Sequence, residues 1–241
     1  MYQKIILFLS FFLFIKVNAQ NKLVITYEQV SVPKFLKPDG TIEEFDKELV
    51  DILKRPTFYE LEIVNQQSMY SKIERVNNSQ GGNSVTMSGL LPKNSFFDFS
   101  KNIQKREWDM DVKKFIVVDS IPTLNYQLTR DKSTYLGYTV KKAILKENNS
   151  VISVWYSPDL PSKFGPSNYV NFPGLVLKVE LLDAEGKEPS FTLKATEIKL
   201  QDNLELKKLF KGKEMTKAEF KLVEDDFQKR IKESDQSVDK D

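Results

Sequence analysis

The chain has 241 residues, with 36 Lys and Arg against 34 Asp and Glu, and neither histidine nor cysteine. Those absences exclude the common Ser/His/Asp and Cys/His nucleophile systems and the common zinc ligand sets, so any chemistry would run on carboxylates, Lys, Tyr, Ser or Thr. The near-balanced charge argues against a nucleic-acid partner, whose binding needs clustered cations to neutralise phosphates.

Residues 1–19 read as a secretory signal peptide. Lys4 supplies a charged start, Ile5 to Ile15 form an apolar core, and Val17 to Ala19 offer small residues before Gln20. The apolar run is about eleven residues, short of the roughly 17–25 that a membrane-spanning helix needs. Removing this leader takes away Lys4 and Lys16 and no acid, which leaves 34 basic residues against 34 acidic ones. With no cysteine in the chain, an N-terminal lipid anchor on cysteine is excluded. The expectation is an exported protein with no transmembrane segment after cleavage. Residues 20–234 would form a single β-rich domain, large enough for one core without disulfides, and residues 235–241 a disordered tail.

Residues 22–30 (KLVITYEQV) open with a β-branched run that suits a first strand. Ile42, Phe45, Leu49, Ile52 and Leu53 then fall at helical spacing, with Thr41 and Glu44 as a capping box and Pro56 as a stop, which predicts an amphipathic helix over 42–54. From Phe58 the period is two. Tyr59, Leu61 and Ile63 alternate with Glu60 and Glu62, and Met69, Ser71 and Ile73 alternate with Tyr70 and Lys72, which predicts two paired strands. Asn77 to Ser84 is a polar insertion. Further strands are expected in SFFDFSKNI (95–103), WDMDVKKFIVVD (108–119), TLNYQLTR (123–130), YTVKKAILKE (138–147) and VISVWYSP (151–158).

In GLVLKVELLD (174–183), Leu175, Leu177, Val179 and Leu181 would share one face. In the strand after it, Phe191, Leu193 and Ala195 are in one phase and Ile198 and Leu200 in the other, the mark of a bulge or bend. Pro173-Gly174 fits the centre of a type II turn, which would set the register of the strand beginning at Leu175. At the C-terminus, Thr216 and Glu219 form a second capping box, and Phe220, Val223, Phe227 and Ile231 make an apolar stripe, predicting a helix over 216–231. Many strands, two helices and no βα alternation give a mainly β fold. It would be a large curved antiparallel sheet, an open barrel or sandwich-like, with one amphipathic helix near the N-terminus and one at the C-terminus.

ITYEQV (25–30), FYELEIVNQQSMY (58–70), YLGYTVKKAIL (135–145), VWYSPDLPSKFGP (154–166), NFPGLVLKVE (171–180) and KGKEMTKAEF (211–220), following a signal peptide, resemble in order the GLPGLI family of exported Bacteroidota proteins. In the name-giving hexapeptide, Asn171, Phe172 and Val176 replace Gly, Leu and Ile, whereas Pro173, Gly174 and Leu175 match. The changes are mild, because Asn is the residue after Gly that best tolerates a left-handed backbone. The family often carries a cysteine at or beside the position of Val140, and this chain has none. The resemblance implies a protein of the periplasm or the outer-membrane periphery, without an assigned activity and associated with TonB-dependent outer-membrane transporters. It supplies no catalytic residues.

Trp155, Tyr156, Phe164, Tyr169 and Phe172, with Pro173 and Gly174, stand on a segment stiffened by prolines at 158, 161, 166 and 173. Rings on such a segment can form a binding surface at low ordering cost, or cover one end of a curved sheet. The acidic pairs Glu43-Glu44 and Asp225-Asp226 fall on helices, where sequence neighbours diverge by about 100° and cannot converge on one atom. Lys113-Lys114 and Lys141-Lys142 fall in strands, where neighbours face opposite ways. The sequence therefore favours a non-enzymatic binding or accessory protein that uses no metal or cofactor and meets an envelope partner. The alternative is a carrier that encloses a lipid or other apolar ligand within the curved sheet.

Overall fold

The computed structural model describes residues 22–31, 47, 50–51, 54–74, 92–110, 113–147, 150–160, 162–182, 189–207 and 210–238. Among these residues there are twelve strands: β1 (Lys22–Ser31), β2 (Thr57–Val64), β3 (Gln67–Lys72), β4 (Asn94–Asp98), β5 (Ile103–Met110), β6 (Lys113–Asp119), β7 (Tyr126–Tyr135), β8 (Tyr138–Glu147), β9 (Ser150–Ser157), β10 (Leu175–Leu182), β11 (Pro189–Leu200) and β12 (Lys213–Thr216). The chain continues into helix α1 (Lys217–Val238). The strands form one sheet in the order β12-β6-β5-β4-β3-β2-β1-β11-β10-β9-β8-β7, with β12 and β7 as its two edges, so the sheet does not close. Every neighbouring pair is antiparallel except β12 with β6.

Two meanders, β1–β6 and β7–β11, thus meet at the β1–β11 seam, where Leu23 lies opposite Leu200 and Ser31 opposite Phe191. Their inner faces supply one core, with Ile25, Tyr27, Leu61 and Phe97 from the first meander and Leu145, Val154, Val179 and Leu193 from the second. Burying such side chains removes them from water at roughly 1.5–3 kcal/mol apiece, which is what holds the sheet in its curved form. The Tyr27 hydroxyl is buried with its ring and donates to the Val176 carbonyl at 2.5 Å.

The phase slip read in residues 190–200 is present. Pairing shifts between Thr26 and Tyr27, opposite Glu197 and Ala195, and this puts Ala195 and Ile198 on the same face. A second slip was not expected. Pairing of β10 with β9 shifts between Val176 and Lys178, so Leu175, Val176 and Leu177 are all fully buried instead of alternating. The expected strand 108–119 is two, β5 and β6, and the expected 95–103 strand ends at Asp98, with a turn through Asn102 at φ +53°.

Among the described residues α1 is the one helix with a continuous run, and the two-helix expectation is not borne out; Lys47, Val50 and Asp51 are helical, but they are single positions in a segment otherwise outside the described residues. Most of 42–54 lies outside the described residues; within it, the Lys54 amide donates to the Val50 carbonyl at 3.0 Å. At the other end, α1 runs to Val238, into the expected tail, because no glycine or proline follows Ile231 to stop it. The Thr216/Glu219 capping box forms as read: the Thr216 amide donates to Glu219 Oε2 at 2.7 Å, and the Glu219 amide to Thr216 Oγ1 at 3.2 Å.

After β11 the chain crosses the outer face of the first meander before it forms β12. Leu204 is buried there, Lys207 Nζ reaches Glu60 and, at 3.1 Å, Glu62, and Phe210 meets Phe96 edge-on at 6.4 Å. β12 then pairs with β6, and α1 folds back over the inner face. Phe115, Val117, Met215 and Phe220 make a second, smaller core, flanked by Trp108, Val223 and Phe227.

Candidate functional site

The aromatic segment read as a site is mostly interior. Tyr156, Phe164 and Phe172 belong to the main core. Phe172 stacks on Tyr126 at 4.5 Å and lies 6.2 Å from Tyr156, and Phe164 meets Phe99 at 5.0 Å. The loop closes on itself: the Asn171 amide donates to the Lys163 carbonyl at 2.7 Å, Leu175 to Leu160 at 3.1 Å and Val176 to Phe164 at 3.1 Å. Asn171 has φ +69°, the left-handed conformation its side chain tolerates.

Pro173 is exposed and Gly174 buried. Gly174 has φ +153° within a bend, so the expected type II turn, with about +80° at that position, is not formed. The glycine is needed for a different reason. A Cβ there would stand 2.1 Å from the Ser157 carbonyl oxygen.

Two of the seven residues stay partly open. Trp155 lies on the outer face, opposite Lys142 and Lys178, with Lys142 Nζ 5.6 Å from its ring. Tyr169 lines a pocket of about 70 Å³ with Gln29, Tyr59, Tyr70, Ser167, Asn168 and Phe191. Tyr70, stacked on Tyr59 at 5.0 Å, has a hydroxyl with no hydrogen-bond partner, and burial pushes its pKa up. A pocket of that size with an unsatisfied hydroxyl suits water or one small polar group.

The larger concavity, about 500 Å³, lies between α1 and strands β5 and β6. Register builds its floor: Arg106 is opposite Val117 and Trp108 opposite Phe115. The first turns of α1 supply Lys217, Ala218, Phe220, Lys221 and Glu224. The Trp108 and Phe220 rings are 5.3 Å apart. The volume falls within the ~300–1,000 Å³ of small-molecule sites, and the lining has their character, apolar walls with a few polar groups.

Charge at this groove is uneven. Lys221 sits 2.7 Å from Asp225 and 3.5 Å from Glu224, and Lys217 is 4.0 Å from Asp119. Arg106 is half-buried, and its Nε has no hydrogen-bond partner. Burial pulls its pKa below the ordinary guanidinium value, against the opposing pull of the Asp119 carboxylate. The sequence reading missed this site because Arg106 and Trp108 carry no motif. The available signal was the alternation Gln104, Arg106, Trp108, and it points to a site only once α1 is known to return over β5.

Three buried carboxylates on the outer face of the first meander are engaged with donors. Glu62 takes the Lys207 amide at 3.2 Å, Glu107 takes Asn94 Nδ2 at 2.6 Å, and Asp98 takes Gln67, Ser100 and the Lys101 amide. Among the described residues no cluster of His, Cys, Asp and Glu is placed to hold a metal ion, and no helix is long and apolar enough to cross a membrane.

A family model described as the N-terminal domain of the N-glycanase peptide matches residues 109–222, from the end of β5 into α1. No curated protein matches the chain. Among solved structures, PNGF-II in the C2 space group aligns with 83% of this chain at a TM-score of 0.55 and 20% identity. PNGF-II in the P21 space group aligns with 83% at 0.54 and 21%. The chain spans 32% of the length of each of those structures. What it shares with them is the fold, over that part of their length.

Proposed function

We propose that this chain is a non-catalytic binding or accessory protein of the bacterial cell envelope, and that it meets its ligand in the groove between α1 and β5–β6. The groove carries this reading. It is a concave, largely apolar site with Trp108 and Phe220 in its wall and an Arg106 Nε that has no hydrogen-bond partner, and it lies outside the main core. The fold likeness to part of PNGF-II, and the match to a domain described as lying N-terminal in an N-glycanase peptide, agree with a module that binds while chemistry is done elsewhere. The signal-peptide pattern and the GLPGLI resemblance support a place in the periplasm or at the outer-membrane periphery, beside a TonB-dependent transporter.

The geometry speaks against two other modes. A carrier would hold its ligand inside the curved sheet, but Tyr27, Phe97, Phe172 and Leu177 fill that space. Docking on a sheet edge is opposed by the edges themselves. β7 carries Arg130, Asp131 and Lys132 with a register slip between Leu128 and Lys132, and β12 has only four residues.

The test is capture from envelope extract by the mature protein and by Ala218→Trp, which fills the groove from the helix side, with bound protein and lipid identified by mass spectrometry. Material recovered by the wild type and lost with a folded Ala218→Trp is the expected result. Equal recovery by both would remove the groove from the reading, and recovery of nothing by either would remove the binding function.

A further inference from the structure

The inner face of β3, β4 and β5, beside the groove, carries polar residues where a core should be apolar. Ser95 on β4 lies directly opposite Arg106 on β5, and Gln104 is the next residue of β5 on that face. Ser68 is one strand further, opposite Phe97, which in turn faces Gln104. Ser68, Ser95 and Gln104 are at most 1% exposed. Ser68 Oγ, Ser95 Oγ, Gln104 Oε1 and Arg106 Nε are all buried without a hydrogen-bond partner.

One such orphan is ordinary. Four on adjacent positions of one face are not, since a buried donor or acceptor left unmet is destabilising and few occur in a folded domain. Opposite residues on neighbouring strands have Cβ atoms about 4.5–5.5 Å apart, so Ser95 and Arg106 can serve one group between them. Arg106 also lines the groove, and is the residue common to the polar strip and the apolar cleft.

We propose that the groove binds a small amphipathic monoanion, a carboxylate on an apolar body. The carboxylate is taken by Arg106 with the Ser95 hydroxyl, and the body lies against Trp108, Val117 and Phe220. This rests on the groove being the binding site. Arg106 supplies the fork that suits a carboxylate, and the hydroxyl adds a donor. The ligand's charge is limited to one, because the other cations are answered: Lys217 by Asp119, Lys221 by Glu224 and Asp225. A dianion would meet Asp119 and Glu224 without compensation. The N-terminus of α1 lies at the rim and adds a weak field of the favourable sign.

Trp155→Phe makes Trp108 the single tryptophan, because the chain holds two. In that background Trp108 fluorescence is followed while the purified mature protein is titrated with dodecanoate and, separately, with dodecanol. Dodecanoate should bind at least about tenfold more tightly, the usual worth of a charge-assisted hydrogen bond. Arg106→Gln should erase that preference by weakening the carboxylate alone, Ser95→Ala should reduce it, and Arg106→Lys, which keeps the charge, should retain part of it if Arg106→Gln proves too unstable to titrate. Equal binding of acid and alcohol, or a preference that survives Arg106→Gln, overturns the ligand class and leaves the groove standing. No response to either amphiphile while Ala218→Trp still abolishes envelope capture does the same. No response together with capture that Ala218→Trp leaves unchanged removes the groove itself.

Discussion

Gly174 is where the loop from β9 crosses back to begin β10, and Gly174→Ala probes that crossing. An alanine Cβ would lie 2.1 Å from the Ser157 carbonyl oxygen, 2.5 Å from its carbon and 2.9 Å from the Pro158 nitrogen, all backbone atoms that cannot swing aside. The φ of +153° is itself nearly glycine-only and costs an L-residue about 1–3 kcal/mol. Overlap and dihedral together should cost about 3 kcal/mol or more, a fall in Tm of roughly 6–12 °C for a domain of this size. Two controls separate the causes. Gly137 has φ +81° with nothing within 4 Å of a built Cβ, so Gly137→Ala reports the dihedral alone, at about 1 kcal/mol. At Gly165 a Cβ would meet the Tyr169 carbonyl oxygen at 2.1 Å and Val176 Cβ at 2.7 Å, so Gly165→Ala reports the close approach. Thermal unfolding of the three variants by circular dichroism decides the matter. A Gly174→Ala protein that melts with wild type, or no lower than Gly137→Ala, would refute the idea that contact with Ser157 fixes the entry to β10.

Arg106→Met should raise Tm by a few degrees, because it removes a desolvated charge with an unmet Nε, worth about 1 kcal/mol; a lower Tm would mean that the guanidinium is well compensated. Burial pushes the Asp98 carboxyl up, but hydrogen bonds from the Ser100 hydroxyl, Gln67 and the Lys101 and Ser100 amides outweigh it and hold the pKa below the ordinary value. Its contribution is therefore complete above the unfolded carboxylate pKa of about 4 and fades as pH falls through the folded value. Asp98→Asn should be less stable than wild type at pH 7, with the gap narrowing below about pH 4, and a gap independent of pH would contradict this. Lys207→Met leaves Glu62, 4% exposed, with the residue 207 amide as its one donor among the described residues, and should cost about 1–2 kcal/mol in urea unfolding. An unchanged midpoint would show that the crossing over the outer face is held by Leu204 and Phe210 alone.

Period and phase carried most of the fold. The alternation of Tyr59, Leu61 and Ile63, the slip between Ala195 and Ile198 and the Thr216/Glu219 cap are all local, and each appears where the residues put it. What the residues did not disclose was long-range. KEMT is too short and too polar to mark β12, which exists because β6 offers it a parallel partner. The aromatic segment was legible as constrained but not as interior, since whether Phe172 faces solvent or Tyr126 depends on a strand 46 residues earlier. The groove needed still more: the return of α1 over β5 is fixed by Phe220 finding Trp108 and Phe115, a contact with no trace in local pattern.

The seam between β1 and β11 also has a bearing on time. Leu23 waits for Leu200, so the first strand to leave the ribosome has one of its two neighbours missing until nearly the whole sheet has been made. Each meander can zip from its own hairpins, but joining them closes a loop of about 170 residues, and such non-local pairing is slow. Until that seam forms, β1 and β11 each present an unpaired edge to any other chain nearby. The molecule's exposure to misassembly is therefore set by the arrival of one late strand, and a holding factor that shields β1 during that interval would speed recovery of folded protein more than any gain in final stability.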